Sequence, residues 1–395
     1  MDNELSYVLV TPYTIAKSRT GGVISRLLSR VDLELVGAQM IAPSTEFVEA
    51  YAAALQVQEK RSNRMASSIL ADYVRKNFSP SGGRRHRILL LLFRGENACK
   101  KLSDVCGALY PENLSSESLT GETIRDTYAD LIVDPENPDR VQYFEPAVLT
   151  PRSQDIADAN LELFASYIKG EPTIIENMTY REPSRIERTL VILKPDNWKY
   201  ASSRPGTIID MLSRTGLRII GCKVHQLSVA EALEFYGPVK ESLQNKLSPV
   251  FGKKAKEALE REFGVSLSEA TEKALTESFG KEYALDQFSQ IIEFMSGIRP
   301  EHCPVEELNN PGRVKCMILV YEGENAVQKI RDVLGPTDPT KAPGGTVRRE
   351  FGSNVMVNTA HASDSVENAK REMKIVKMTE NNCYRIIVDY LKNKS

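Results

Sequence analysis

The chain repeats itself, and that limits what it can fold into more than any composition figure does. Gly95-Glu96-Asn97-Ala98 recurs as Gly323-Glu324-Asn325-Ala326, each copy following an apolar run (RILLLLFR, then KCMILVYE) that reads as a buried strand. Leu28-Ser29-Arg30 with Gly37 recurs as Leu212-Ser213-Arg214 with Gly221, at one constant offset. Duplication is the simplest explanation, so the two halves should share one fold. Between them KGEPTIIENMTYREPSR carries two prolines and loses periodicity. This predicts a domain over 1–170, a linker over 171–185 and a second domain over 186–395. Each half reads as strand, helix, strand, long helical region, strand, helix, a loop and a final helix.

Composition agrees with two ordinary domains. At 395 residues and 41% hydrophobic content the chain is long enough for two cores. A net charge of −2 argues against a nucleic-acid surface built on bulk charge. No apolar run approaches the ~18 residues needed to span a bilayer, and Met1-Asp2-Asn3-Glu4 lacks the start of a signal peptide, so the expectation is a cytoplasmic protein with no membrane partner. The six cysteines lie at scattered spacings without a CxxC pair, which indicates neither a disulfide framework nor a zinc site. His302-Cys303, in a proline-flanked loop, reads as structural, since zinc needs four converging ligands. His86, in GGRRHR, reads as part of a solvated loop, because the run lacks a phosphate-cradling GxxxxGK[ST] pattern.

One histidine stands apart. Asn358-Thr359-Ala360-His361-Ala362-Ser363-Asp364-Ser365 precedes a run with Val366, Ala369 and Met373 at helical spacing, and Asp364 and Glu367 stand three apart as a capping box does. The spacing predicts His361 at a helix N-terminus, where free amides and the dipole favour phosphate, and where a neutral imidazole could attack phosphorus. An isolated histidine would more often simply pack or cap.

The neighbours change that balance. NxxH-x-SDS followed by Glu372 resembles the active-site segment of nucleoside diphosphate kinases. Glu187-Arg188-Thr189-Leu190-Val191-Ile192-Leu193-Lys194-Pro195-Asp196 resembles that family's first strand with its phosphate-side lysine. Pro205-Gly206-Thr207-Ile208-Ile209 and Gly216-Leu217-Arg218-Ile219-Ile220-Gly221 are similar to its first helix and second strand. Val333-Leu334-Gly335-Pro336-Thr337-Asp338-Pro339 and Pro343-Gly344-Gly345-Thr346-Val347-Arg348 resemble the loop and arginine region before its histidine. The resemblance covers about 186–378 in the family's order.

It implies an α+β chain of two tandem ferredoxin-like (βαββαβ) domains. His361 would accept the phosphate and Glu372 would orient its ring. Lys194, Arg331, Thr337 and Arg348 would hold the phosphates, Tyr236 would stand near the histidine, Asn358 and Lys194 would bind the ribose, and Phe288 and Val355 would sandwich the base. Each of these residues has an ordinary alternative as surface charge or core, and only their joint placement around one histidine favours the functional role. Mg²⁺ would be carried by the nucleotide's phosphates, with no dedicated metal cage. Partners would be ATP and other nucleoside tri- and diphosphates; a homo-oligomer is open, as is docking of the two halves like a dimer within one chain.

The sequence departs from the family in three places. About fifty residues separate Tyr236 from Phe288, and KKAKEALEREF and SLSEATEKALTESF within them predict a helical insertion at about 240–285. Ala362 follows the histidine where the family has glycine, and Met356-Val357 replace its glycine and arginine. The first half shows loss of chemistry: Lys194 aligns with Thr11, Arg331 with Ser103, and His361 with Pro151, the last by matching Ser363 to Ser153 and Glu372 to Glu162. Tyr51 and Arg125 keep their counterparts. The expected function is nucleoside-diphosphate kinase by ping-pong transfer through His361. The alternatives are a nucleotide-binding or scaffolding module with little activity, and phosphate transfer from His361 to a protein.

Overall fold

The computed structural model describes residues 3–58, 64–109, 121–137 and 141–394. They divide into two compact units, Met1–Val224 with Met317–Ser395, and His225–Cys316.

The first unit holds two four-stranded sheets. One uses β1 (Glu4–Val10), β2 (Glu34–Ile41), β3 (Ile88–Gly95) and the short β6 (Val148–Leu149), while β4 (Asp130–Val133) and β5 (Val141–Glu145) pair as a separate ribbon. The other uses β7 (Ile186–Leu193), β8 (Arg218–His225), β9 (Cys316–Glu324) and β10 (Ala360–Ala362). Their orders, β2-β3-β1-β6 and β8-β9-β7-β10, are the same. β1 pairs antiparallel with β3 and β6, as β7 does with β9 and β10. The apolar runs noted in the sequence are the inner strands β3 and β9, buried from Ile88 to Phe93 and from Cys316 to Glu322, which explains their unbroken hydrophobicity.

The repeated Gly-Glu-Asn is a turn with fixed backbone demands. Gly95 and Gly323 both adopt φ 156°, and Asn97 and Asn325 adopt φ 53° and 52° as N-caps of the helices Ala98–Cys106 and Ala326–Leu334. A Cβ on Gly95 would lie 2.7 Å from Leu33, and one on Gly323 would lie 2.6 Å from Leu217. Glycine and asparagine tolerate such φ values best, so the motif survives in both halves for its geometry.

Within this unit the halves pack directly on each other. The helices Thr20–Arg30 and Arg204–Ser213 approach so closely that a Cβ on Gly21 would sit 2.4 Å from the Gly206 carbonyl oxygen, and one on Gly206 would sit 2.2 Å from the Ser25 nitrogen. Arg87 donates to the Ile219 carbonyl at 2.7 Å. The last helix, Asn382–Lys394, belongs to the second half in sequence but buries Cys383 and Ile387 in the first half's core with Tyr7, Tyr51 and Phe164.

The second unit is helical. Helix Val229–Phe263 begins with a Ser228/Glu231 capping box and ends at Gly264. After a turn, Glu269–Leu275 leads through a five-residue π turn into Lys281–Ser296. The two arms run antiparallel: Lys256 meets Glu272 at 3.3 Å, Gly252 lies against Thr276 and Gly280 against Ser248. At both glycines a Cβ would come within 2.3 Å of the facing arm, so the hairpin closes backbone to backbone.

Candidate functional site

His361 lies on β10, paired with Ile192 of β7. This corrects the expectation of a helix N-terminus. The helix begins later, at Val366, and its cap is Ser365, whose hydroxyl accepts the Asn368 N–H at 3.0 Å. Ser365 has extended backbone immediately before the first helical residue, so it takes the capping role expected of Asp364; Asp364 instead accepts from the Asn368 side chain at 2.6 Å.

That helix carries Glu372 beneath the histidine. His361 Nε2 lies 3.0 Å from Glu372 Oε2, and the Ser363 hydroxyl donates to the same oxygen at 2.6 Å. Glu372 is buried while the His361 side chain keeps 22% of its surface exposed. A carboxylate held by two partners fixes the ring, and part of the ring still reaches solvent.

Beside this pair lies a second cluster. Lys194 Nζ donates to Asn358 Oδ1 at 2.7 Å, and Asn358 Nδ2 donates to the carbonyls of Thr337 at 3.0 Å and Val355 at 2.8 Å. Burial, helped by nearby Arg348 and opposed by Asp196, lowers the Lys194 ammonium to about 8. Arg348 donates to the carbonyls of Gly335 at 2.8 Å and Ala360 at 2.9 Å, next to the histidine. Val355 is exposed, and Arg331 sits on the exposed side of its helix. Tyr236 and Phe288 belong to the helical unit. Tyr236 packs against Phe235, and Phe288 is buried with the Lys240 ammonium 5.7 Å from its ring centre.

The first half offers an internal control, and here the structure corrects the alignment. Glu4 pairs with Gly95 as Glu187 pairs with Gly323, which equates β1 with β7. Leu149 then faces Leu9 as His361 faces Ile192, so the counterpart of His361 is Leu149, not Pro151. The caps Ser153 and Ser365 follow the same spacing, which makes Asn160 the counterpart of Glu372. Asn160 is buried and donates to Tyr7 Oη at 2.8 Å, whereas Glu162 is exposed. An equal Ser-to-Glu spacing produced the slipped match; burial of the helix face settles it. Thr11 keeps the place of Lys194: its N–H bonds the Ala147 carbonyl as that of Lys194 bonds the Thr359 carbonyl. Ser103 keeps the place of Arg331, with Gly107 and Gly335 bonding back to them. Arg125 also bonds the equivalent carbonyls, of Gly107 and Val148. A signal missed in the sequence is Glu145. Buried beside Thr11, it accepts from Thr11 at 2.8 Å, Tyr73 at 2.5 Å and the Ala147 N–H at 3.1 Å.

Among the described residues no group of three or more His, Cys, Asp or Glu side chains is placed to hold a metal ion, and no helix is long and apolar enough to cross a membrane.

The chain is similar to known proteins of one family. The sequence model of the family described as nucleoside diphosphate kinase matches residues 263–381. A nucleoside diphosphate kinase of Anaeromyxobacter dehalogenans is 32% identical over 188 residues, 48% of this chain and 86% of the relative. That of Wolinella succinogenes is 33% identical over 188 residues, 48% of this chain and 93% of the relative. A crystal structure of an NDP kinase from Pyrobaculum aerophilum is 27% identical and covers 48% of this chain and 94% of its own, with a TM-score of 0.33.

Proposed function

Because the chain belongs to the nucleoside diphosphate kinase family, we propose that its second half moves the γ-phosphate of a nucleoside triphosphate to a nucleoside diphosphate through a phosphohistidine at His361. The observation that carries this reading is the buried Glu372 carboxylate against His361 Nε2 at 3.0 Å, itself braced by Ser363. A proton on Nε2, shared with that carboxylate, leaves the lone pair for attack on Nδ1. The bond from γ-phosphorus to its bridging oxygen breaks as the N–P bond forms, and the diphosphate departs with the electron pair. In the second step a terminal oxygen of another diphosphate attacks the phosphorus and the N–P electrons return to Nδ1. Glu372 stabilises the cationic ring while it carries phosphate.

Lys194, Arg331, Thr337 and Arg348 are assigned to the phosphates, where fixed cations offset charge on the transferring group. Asn358, with Lys194, is assigned to the ribose. Base contact is assigned to exposed Val355 alone. A buried Phe288 under Lys240 has little ring face to offer, so it is assigned to packing of the hairpin. Mg²⁺ is assigned to the incoming nucleotide as part of the substrate. The carboxylates of buried Glu372 and half-buried Asp196 already serve His361, Ser363 and Arg204. On this reading both halves are ferredoxin-like domains from one duplication, the second carrying the helical hairpin as an insertion.

Exchange is the test. GTP should form from ATP and GDP with parallel-line ping-pong kinetics. A second reading, a nucleotide-binding module with little activity, is favoured by Arg348: it makes the same two backbone bonds as Arg125 in the half that has leucine in place of His361, so the fold alone accounts for it. Thermal stabilisation by ADP without any exchange would support that second reading.

A further inference from the structure

We propose that Arg204 is a positioning residue for His361, acting through Thr359; the proposal rests on the phosphohistidine reading above. Thr359 is fully buried and holds φ 78°, a costly place for a β-branched residue. The Ala360 N–H bonds the Asn358 carbonyl at 2.8 Å across it, which makes Thr359 the centre of a tight three-residue turn ending just before His361. Such a turn persists only if its surroundings over-determine it. Here the Thr359 carbonyl accepts from the Lys194 N–H at 3.0 Å and from Asn197 Nδ2 at 2.7 Å, and its hydroxyl lies 2.7 Å from Arg204 Nη2. The same guanidinium nitrogen reaches the Phe351 carbonyl at 2.9 Å and Asp196 Oδ2 at 2.6 Å. Arg204 therefore ties the helix it starts, the loop after β7 and the chain leading to His361 at one point.

The first half separates what the fold needs from what this clamp adds. Ala147, the counterpart of Thr359, has φ 61°, and the Val148 N–H bonds the Pro146 carbonyl at 2.7 Å across it. The strained turn is thus kept in a half that has Leu149 in place of His361, and it stands there on an alanine with no hydroxyl to hold. The constant offset of the two helices places Thr20 where the second half has Arg204. Of the two halves, only the one carrying the histidine has both the arginine and the hydroxyl it grips. The clamp fixes the residue two before His361 without standing among the groups assigned to nucleotide, so its loss should act on the chemical step and not on nucleotide binding.

The experiment measures single-turnover labelling of the full chain by γ-labelled ATP, together with kcat and KM for exchange, in wild type, Arg204→Gln, Arg204→Lys, Thr359→Ala and the double variant Arg204→Gln/Thr359→Ala. Misplacing a nucleophile by a fraction of an ångström costs about tenfold to a hundredfold, so Arg204→Gln should lower labelling rate and kcat by at least about tenfold while both KM values stay within about twofold. Arg204→Lys should recover part of the rate, and the double variant should fall no further than the worse single one. If Arg204→Gln fails to fold, Thr359→Ala carries the test, since Ala147 shows that the turn tolerates alanine. Wild-type rates in the variants, a change confined to KM, or additive losses would overturn the clamp. A wild-type protein that takes no label would overturn the histidine reading and this role with it.

Discussion

Burial brings the Lys194 ammonium down to about 8, so it loses its charge within an accessible pH range, and that makes a residue-scale prediction. As pH rises through about 8 the chain loses the cation proposed for the phosphates, and on that proposal kcat/KM should fall; Lys194→Arg, which stays charged, should flatten that limb of the pH profile. Unfolding does not explain such a fall. An unfolded lysine keeps its proton to about 10.4, so between these values the unfolded chain binds more protons, and this residue's contribution to stability grows as pH rises. A profile unchanged by Lys194→Arg would show that another group titrates. At the same scale the first half predicts a null result: Leu149→His should add no exchange activity to His361→Ala, because its support would be Asn160 and Thr11 where the second half has Glu372 and Lys194. Exchange above the His361→Ala background would contradict that. The residues around His361 were legible because the sequence motif names a loop, a strand and a helix that the fold brings within hydrogen-bonding distance. The counterpart of His361 was not legible, since two serine-to-glutamate spacings coincide and only strand register, cap position and burial, all read from the structure, tell Asn160 from Glu162. Glu145 was equally hidden, because its partners Thr11, Tyr73 and Ala147 are distant in sequence.

Elements were legible where the backbone imposes a residue type. The Gly-Glu-Asn turn announces two strand-to-helix junctions because glycine and asparagine alone sit easily at the φ values found there. The helix start after His361 was placed too early, since Asp364 and Ser365 are both good caps and only the extended backbone at Ser365 decides between them. The close approach of helices Thr20–Arg30 and Arg204–Ser213 was not legible at all: nothing local distinguishes Gly21 and Gly206 from glycines in open turns. That contact makes the next prediction. In Gly206→Ala the new Cβ must displace backbone at 2.2 Å from Ser25, so the variant should lose about 1–3 kcal/mol in denaturant unfolding. An unchanged midpoint would mean that the helices part without cost.

At the scale of the molecule, the repeat in sequence becomes two sheets of one strand order, but the halves are not interchangeable blocks. The last helix of the second half completes the first half's core with Cys383 and Ile387, and the glycine contact joins the helices. Deleting residues 1–170 should therefore expose that helix and lower solubility or melting temperature, measured by thermal unfolding against the full chain. A truncated chain as stable and active as the whole would refute a structural role for the first half. The division of labour, chemistry in the second half and support from the first, is the central claim, and covalent labelling tests it most directly. Full-length protein incubated with γ-labelled ATP should take up acid-labile label that is discharged by GDP, and His361→Ala should take up none. Label that persists in His361→Ala would contradict the account.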